Sequence, residues 1–562
     1  MIKKSKILFC LLLLFLISCQ DNDETIISDP DPTSTSGVEA WQDLVSELVL
    51  DHTIIVQKNH SIQDAINAAE PGNAIYIEPG IYKESLTIDK PDILLIGIQS
   101  VNGDKVILEN PGGASKGINV TNNVSGVEIS NIELQNFADN TSYTTSNSAV
   151  RTAGETHVIK MSREWACSAI AYYQFEIQIG SDPHNVVRIR RFVKEDTPYQ
   201  PLPTNGDIFM AHGANQNLEI FFRTGTDLPT PQTSAFLYLA SKGIDVWGID
   251  QAWTLVPQET TEFEFMKDWG VEHDAKNTLA ALAFARLIRG FTGQGYGPMN
   301  LLGFSYGTAV AFTAAGMETQ QEQILRDIKG LINTDQILKF DDKDEMYRQN
   351  TCMGTTGLLE QINAGIYQAG NAGNLGNVGQ LAHSAPDEPS PIFPGLTNAQ
   401  AAFFIGANMY LLGDTPAPYW HFTGGNQTSP EMPATDLLFT STGRWLKPLP
   451  NVSGVSYMPN LAIYDLNACM CDEEDVSFDD HFSKISLPIF YLGAEGGFGS
   501  YGLYTNSITA SSDITSHIVS KTPERFNDFG HADLFYADSA PEDVWEPLYQ
   551  WLREHNDDVM GL

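Results

Sequence analysis

Residues Pro298–Glu318 read PMNLLGFSYGTAVAFTAAGME, and this stretch decides the fold. An apolar strand, PMNLL, runs into the pentapeptide GFSYG, and a helix of small and apolar residues runs out. Gly-x-Ser-x-Gly is too short a pattern to carry chemistry alone; its place between a strand and a helix gives it meaning. A serine hydroxyl is exposed for attack on a tight strand-to-helix turn, and the flanking Gly303 and Gly307 remove Cβ atoms that would clash there. Ser305 is therefore the candidate nucleophile. The N–H of Tyr306, at the helix N-terminus, is aimed at a developing oxyanion.

Outward from this turn, strands alternate with helices. GDIFMAHG is a buried strand, TSAFLYLASKG a helix, IDVWGID a strand and GVEHDAKNTLAALAFARLIRGFTG a long helix. IKGLINTD, LPIFYLGAE and DITSHIVSKT read as further strands, and APEDVWEPLYQWLREH closes the chain as a helix. Upstream, YYQFEIQIG alternates apolar and polar residues, and VVRIRRFVKE follows a turn, which predicts an antiparallel pair. An antiparallel start leading into βαβα units implies an α/β fold with a doubly wound, mostly parallel sheet.

From Tyr172 to Leu562 the chain resembles the α/β-hydrolase superfamily. The resemblance implies a base after the last strand, where His531 lies in FNDFGHADLF; an imidazole titrates near neutral pH and suits proton transfer. His517 falls inside a strand and reads as structural. AHGA matches the family's HG oxyanion motif, with His212 and Gly213 orienting the loop and the N–H of Ala214 as the second donor. The family's usual acid, G-x-x-D after the seventh strand, falls on Gly496 in LPIFYLGAEGGFG. Glu495 is one residue early. A second solution in the superfamily sets the acid after strand six, where GLINTD ends on Asp335. Asp335 is preferred, Glu495 is the alternative, and Asp528 and Asp513 are outside candidates; a carboxylate here holds the imidazole tautomer. Residues 341–484 break the rhythm and read as a cap insertion over the site. Its aromatic stretches AAFFIGANMY and PAPYWHF could line an acyl pocket or form the cap's own core. Trp253 is a pocket candidate, while Trp247 reads as packed in its strand. The chemistry needs no metal and no organic cofactor.

The N-terminal part has a different texture. SIQDAINAA is a short amphipathic helix, followed by brief Val/Ile/Leu strands separated by Gly, Pro, Asn and Asp turns. The stretch Ser61–Phe137 resembles the cap and first coils of pectin-lyase-like right-handed β-helices. A short parallel β-helix over 51–150 is the expectation, as a small carbohydrate-binding or spacer domain or a remnant without a ligand. Before it, residues 20–50 read as a flexible tether, acidic and Pro/Ser/Thr-rich at the start. MIKKSK is basic, ILFCLLLLFLI is apolar and too short to span a bilayer, and LISC follows. This resembles a bacterial lipobox, which implies a signal peptide over 1–19 and a lipidated Cys19. The expected address is therefore outside the cytoplasm, lipid-anchored at the outer membrane or cell surface.

The 562 residues carry 70 acidic against 32 basic side chains, a net charge of −38. Such a surface repels nucleic acid and anionic membranes, and both are set aside as partners. Hydrophobic residues make up 42% of the chain, enough for sizeable cores. Cys167, Cys352, Cys469 and Cys471 allow up to two disulfides with connectivity open. Cys469-x-Cys471 lacks further ligands at zinc spacing, so a disulfide or plain burial is preferred to a metal site.

These readings together predict a capped α/β-hydrolase preceded by a short parallel β-helix. It would act as a surface-anchored serine esterase on a small ester or an ester-decorated glycan. Two alternatives stay open: a catalytically inactive carbohydrate-binding lipoprotein, and a peptidase of the same fold.

Overall fold

Strands buried on both faces read as unbroken apolar runs, and the centre of this protein is built from such strands. The computed structural model describes residues 41–556 apart from 42–44, 47, 51, 100–102, 122–123, 139–155, 168, 225, 227, 370–372, 409–419, 430–431, 450–456 and 473–475. The expected signal peptide, Cys19 and most of the tether lie outside the described residues. Among the described residues no helix is long and apolar enough to cross a membrane.

The first described part is a set of short strands: β1 (Thr53–Val56), β2 (Ala74–Ile77), β3 (Gly80–Tyr82), β4 (Leu86–Ile88), β5 (Leu94–Gly97), β6 (Val106–Glu109), β7 (Ile118–Val120), β8 (Glu128–Ser130) and β9 (Ile132–Gln135). The helix α1 (Ile62–Ala68) follows β1, capped by the Ser61 side chain and burying Ile62, Ala65 and Ile66. The chain visits three parallel sheets in turn, with orders β1-β2-β5-β8, β3-β6-β9 and β4-β7. Ile75, Leu86, Leu95, Val106, Leu108 and Ile132 fill the space between them.

The main sheet begins with three antiparallel strands, β10 (His157–Cys167), β11 (Ile170–Gln178) and β12 (Val186–Thr197), with the two-residue β13 (Gln200–Pro201) paired to β12. It continues through β14 (Asp207–Ala211), β15 (Asp245–Asp250), β16 (Met299–Phe304), β17 (Ile328–Thr334), β18 (Ile489–Ala494) and β19 (Ile514–Val519). The spatial order is β10-β11-β12-β15-β14-β16-β17-β18-β19, and every pair from β15 to β19 is parallel. The helices α2 (Ala235–Ser241), α3 (Val271–Phe291), α4 (Tyr306–Glu318), α5 (Glu345–Asn363), α6 (Asn398–Ala407), α7 (Asn460–Cys471) and α8 (Glu546–Glu554) complete the frame. Leu301 faces the apolar cluster that includes α3 and α4, while Leu302 faces the one that includes α2 and α8. The fold is α/β.

Two boundaries differ from the sequence reading. Val45, Leu48 and Leu50, expected in the tether, are buried with Ile55, Tyr76, Phe175 and Trp247 in one cluster. Val45, Leu48 and Leu50 belong to an apolar run, LVSELVL, and such a run finds a core when a sheet passes beside it. The same cluster joins Ile55, Tyr76, Leu94 and Ile98 of the N-terminal part to the main sheet. The insertion is also partly core: Ala401, Phe403 and Ile405 of α6 pack with Leu302, Phe304 and Phe529. A disulfide between Cys352 and Cys471 ties α5 to α7, while Cys469 is a buried thiol.

Candidate active site

Ser305 stands alone between β16 and α4, with φ 55° and ψ −125°. A non-glycine residue at positive φ costs on the order of 1–3 kcal/mol and is held only where its surroundings insist. Here they do. Ser305 N–H donates to the Thr334 carbonyl at 3.1 Å, tying the turn to the end of β17. A Cβ at Gly303 would sit 2.3 Å from the Gly307 carbonyl oxygen, and one at Gly307 would sit 2.2 Å from that of Ala211. Neither glycine has a substitute. The Ser305 side is partly exposed, while Tyr306 and the helix behind it are buried.

Asp335 follows β17 directly, fully buried and also at positive φ, 47°. Its Oδ1 accepts the N–H groups of Ala494 at 2.9 Å and Gly499 at 3.0 Å. Its Oδ2 accepts that of Phe498 at 3.2 Å and lies 2.7 Å from His531 Nδ1. Gly497 leaves the room for this: a Cβ there would fall 2.1 Å from Oδ2. A carboxylate so placed fixes the tautomer of His531, with the proton on Nδ1 and a lone pair on Nε2. The imidazole stacks on Phe304, the residue before Ser305, at 4.6 Å between ring centroids. Trp420 and Phe498 close around it at 5.3 and 5.7 Å.

The backbone of the histidine loop is held by the insertion. His531 N–H donates to the His421 carbonyl at 3.0 Å and Ala532 N–H to that of Phe422 at 2.7 Å. The buried Asp533 carboxylate accepts Gly530 N–H and Gly424 N–H, both at 2.8 Å, and the Thr440 hydroxyl at 2.5 Å. Burial pushes its pKa up to about 7, against the pull of those donors. His421 is buried as well and its pKa is pushed down to about 4 by desolvation, so it is neutral; its Nε2 lies 2.7 Å from the Asp528 carbonyl.

The other carboxylates go elsewhere. Glu495 pairs with Arg525 at 2.8 Å. Asp528 accepts N–H groups of its own loop, from Lys521, Thr522 and Phe529. Asp513 lies 3.2 Å from His555. Gly496, where the usual acid would fall, has no room for a side chain: its Cβ would meet His421 Nε2 at 2.3 Å and the Asp528 carbonyl at 2.7 Å. His517 Nε2 binds the Asp543 carbonyl from β19.

On the opposite side of Ser305 lies the His212–Ala214 loop. His212 is buried, and desolvation lowers its pKa, so it is neutral. Its Nε2 accepts Gln251 N–H at 3.1 Å, which leaves Nδ1–H to donate to the Gly213 carbonyl at 2.8 Å. The loop is thus locked by its own histidine. Tyr306 is locked too, its hydroxyl donating to Asp274 Oδ2 at 2.8 Å; burial first, then Asp274, raises its pKa well above the ordinary value. Trp253 Nε1–H donates to the same oxygen at 2.9 Å. Trp253 is therefore a fully buried brace between His212 and Tyr306 rather than a pocket wall. Sequence reasoning missed Asp274; only its place in the first turn of α3 marked it, and first-turn carboxylates are common.

The fold and these side chains define an α/β protein that gathers a serine, a histidine and an aspartate at the carboxyl ends of parallel strands. No family model matches the chain, and no curated protein matches it. Among solved structures it is similar to a candidate lipase from Sulfolobus solfataricus, at 16% identity and a TM-score of 0.48, covering 71% of this chain and 99% of that one. It is also similar to a soluble variant of monoglyceride lipase from Saccharomyces cerevisiae, at 13% identity and a TM-score of 0.35, covering 74% and 99%. An epoxide hydrolase from Vigna radiata aligns at 12% identity with a TM-score of 0.35, covering 68% and 98%.

Proposed function

We propose that this protein is a serine hydrolase of the α/β-hydrolase type that cleaves a carboxylic ester. The observation that carries the reading is the 2.7 Å contact between His531 Nδ1 and a buried Asp335 whose remaining lone pairs are taken by backbone N–H groups. The lone pair on His531 Nε2 takes the proton as Ser305 Oγ attacks the carbonyl carbon. The N–H groups of Tyr306 and Ala214 hold the oxyanion. The imidazolium then returns its proton to the leaving alkoxide, and water releases the acyl group by the same route. Asp335 keeps the imidazole in the working tautomer and stabilises its charged form. This pairing favours an active enzyme over an inactive binding protein. The ester is preferred to an amide as the commoner chemistry on this scaffold, by analogy of fold.

The parallel coils from β1 to β9 are read as a short β-helix, and the N-terminal segment as a lipoprotein signal with Cys19 as the anchor. A surface-anchored enzyme acting on ester-decorated glycans or small esters fits that address. The test is turnover of matched ester and amide substrates by purified residues 20–562, wild type beside Ser305→Ala. Ester hydrolysis abolished in the variant supports the reading. Amide turnover at comparable rates would favour a peptidase, and no turnover of either by a folded protein would remove the proposal.

A further inference from the structure

Gln216 follows the oxyanion loop in the run HGANQN. Its side-chain oxygen Oε1 is buried and has no hydrogen-bond partner among the described residues. The position that a Gly213 Cβ would take lies 3.3 Å from that oxygen and 3.2 Å from Ser305 Cβ. Gln216 Oε1 and the Ser305 side chain thus both lie close against Gly213. Burying an amide oxygen without a donor costs folding free energy that an apolar residue of the same size would not incur. Buried polar atoms left unpaired beside a nucleophile are what a polar substrate would satisfy. A second observation lies on the other flank of the site. Trp420, whose ring packs against His531, is only 7% exposed, and its Nε1 has no partner among the described residues.

Resting on the ester-hydrolase reading above, we infer that Gln216 is a specificity-determining residue: its Oε1 accepts a hydrogen bond from a hydroxyl that the substrate carries next to the scissile ester. The substrate class is therefore a hydroxy ester, in which the hydroxyl is vicinal to the ester oxygen on the alcohol half or α to the carbonyl on the acyl half. An ester with a methyl in place of that hydroxyl would leave the amide oxygen buried and unpaired in the complex as well. A site built around a hydrogen-bonding group rejects the analogue that lacks it far more strongly than an apolar pocket rejects an added hydroxyl.

The experiment uses near-isosteric pairs. 2-Hydroxyethyl butanoate against propyl butanoate probes the alcohol half, and methyl 2-hydroxybutanoate against methyl 2-methylbutanoate probes the acyl half. The quantity read is the ratio of kcat/KM within each pair, for wild type, Gln216→Leu and Gln216→Glu. The expected wild-type ratio is about tenfold or more in favour of the hydroxy ester in one pair. That ratio should collapse towards one in Gln216→Leu and survive in Gln216→Glu, which keeps an acceptor oxygen. A wild-type ratio near one in both pairs would overturn the inference without any variant. A ratio unchanged by Gln216→Leu, with both esters slowed alike, would overturn it too, since the amide would then act on the shared oxyanion. A ratio lost in both variants would assign the contact to the amide nitrogen and overturn the acceptor role. Labelling of Ser305 by a fluorophosphonate is run in parallel. If wild type is not labelled and turns over none of the four esters, the hydrolase reading itself has failed.

Discussion

Asp335→Asn is the substitution whose outcome the geometry constrains most tightly. The side chain keeps its shape and loses one acceptor, so the variant must choose which oxygen becomes an NH2 group. If the amide nitrogen takes the Oδ1 position, it faces the donors of Ala494 and Gly499 at 2.9 and 3.0 Å, leaving two buried N–H groups unpaired. If it takes the Oδ2 position, it faces one backbone donor, Phe498 at the longer 3.2 Å, together with His531 Nδ1. Each unpaired buried N–H costs about 1–3 kcal/mol, so the second arrangement wins by roughly one such cost. It also turns His531 Nδ1 into an acceptor and moves the ring proton to Nε2. A histidine in that tautomer cannot take the serine proton. The expected loss in kcat is on the order of 10⁴-fold, equivalent to about 5 kcal/mol of barrier. One unpaired N–H remains, so stability should fall by about 1–3 kcal/mol. The assay is kcat on an activated ester between pH 6 and 10, with denaturant unfolding alongside. A kcat within tenfold of wild type in a folded Asp335→Asn protein would refute the reasoning, and Glu495 would return as the candidate acid.

Other consequences can be checked alongside. Gly497→Ala sets a methyl 2.1 Å from Asp335 Oδ2; displacement of the carboxylate should lower kcat by about 100-fold or more while the fold is retained, read by ester turnover and circular dichroism. Asp274→Ala frees the Tyr306 hydroxyl and Trp253 Nε1 together, and the expected result is about a tenfold fall in kcat with little change in KM, because the residue it loosens is the one proposed to supply an oxyanion N–H. Cys352→Ser opens a disulfide that spans 119 residues; a loss of about 3–5 kcal/mol is expected from the denaturant midpoint. Asp533 holds a proton in the folded state up to about pH 7 that the unfolded chain sheds near its ordinary 3.8. Its contribution therefore falls as pH rises through that window and is flat above it, by up to about 4 kcal/mol. The stability of Asp533→Asn relative to wild type should rise over the same interval, and a constant difference would contradict the shift.

Much of the parallel sheet was legible because its strands are short apolar runs that alternate with helices. The serine turn was legible because its Gly-x-Ser-x-Gly pattern falls between an apolar strand and a helix of small residues. The choice between Asp335 and Glu495 was not. It depends on Arg525 holding Glu495 while His531 Nδ1 meets Asp335 Oδ2, and both contacts exist only in the tertiary fold. The edge strand β10 was missed since its residues are half-exposed on both faces and carry no apolar stripe. The packed role of Val45, Leu48 and Leu50 follows only from the sheet they meet, since a short apolar run next to an acidic, Pro/Ser/Thr-rich segment has no partner visible in sequence. Asp274 and Asp533 act through tertiary contacts, and a polar residue on a helix or loop looks the same in sequence whether it is solvated or clamped. The insertion was legible as a break in rhythm, whereas its hold on the histidine loop, through the carbonyls of His421 and Phe422, follows only from the backbone path.

The central claim is that Ser305 is a nucleophile activated by His531. It is tested most directly by treating the purified protein with a fluorophosphonate and locating the adduct by peptide mass spectrometry. The account predicts one adduct, on the peptide carrying Ser305, absent in Ser305→Ala and formed far more slowly in His531→Ala. A folded wild type that takes up no label, or an adduct on another residue that persists in Ser305→Ala, would contradict it.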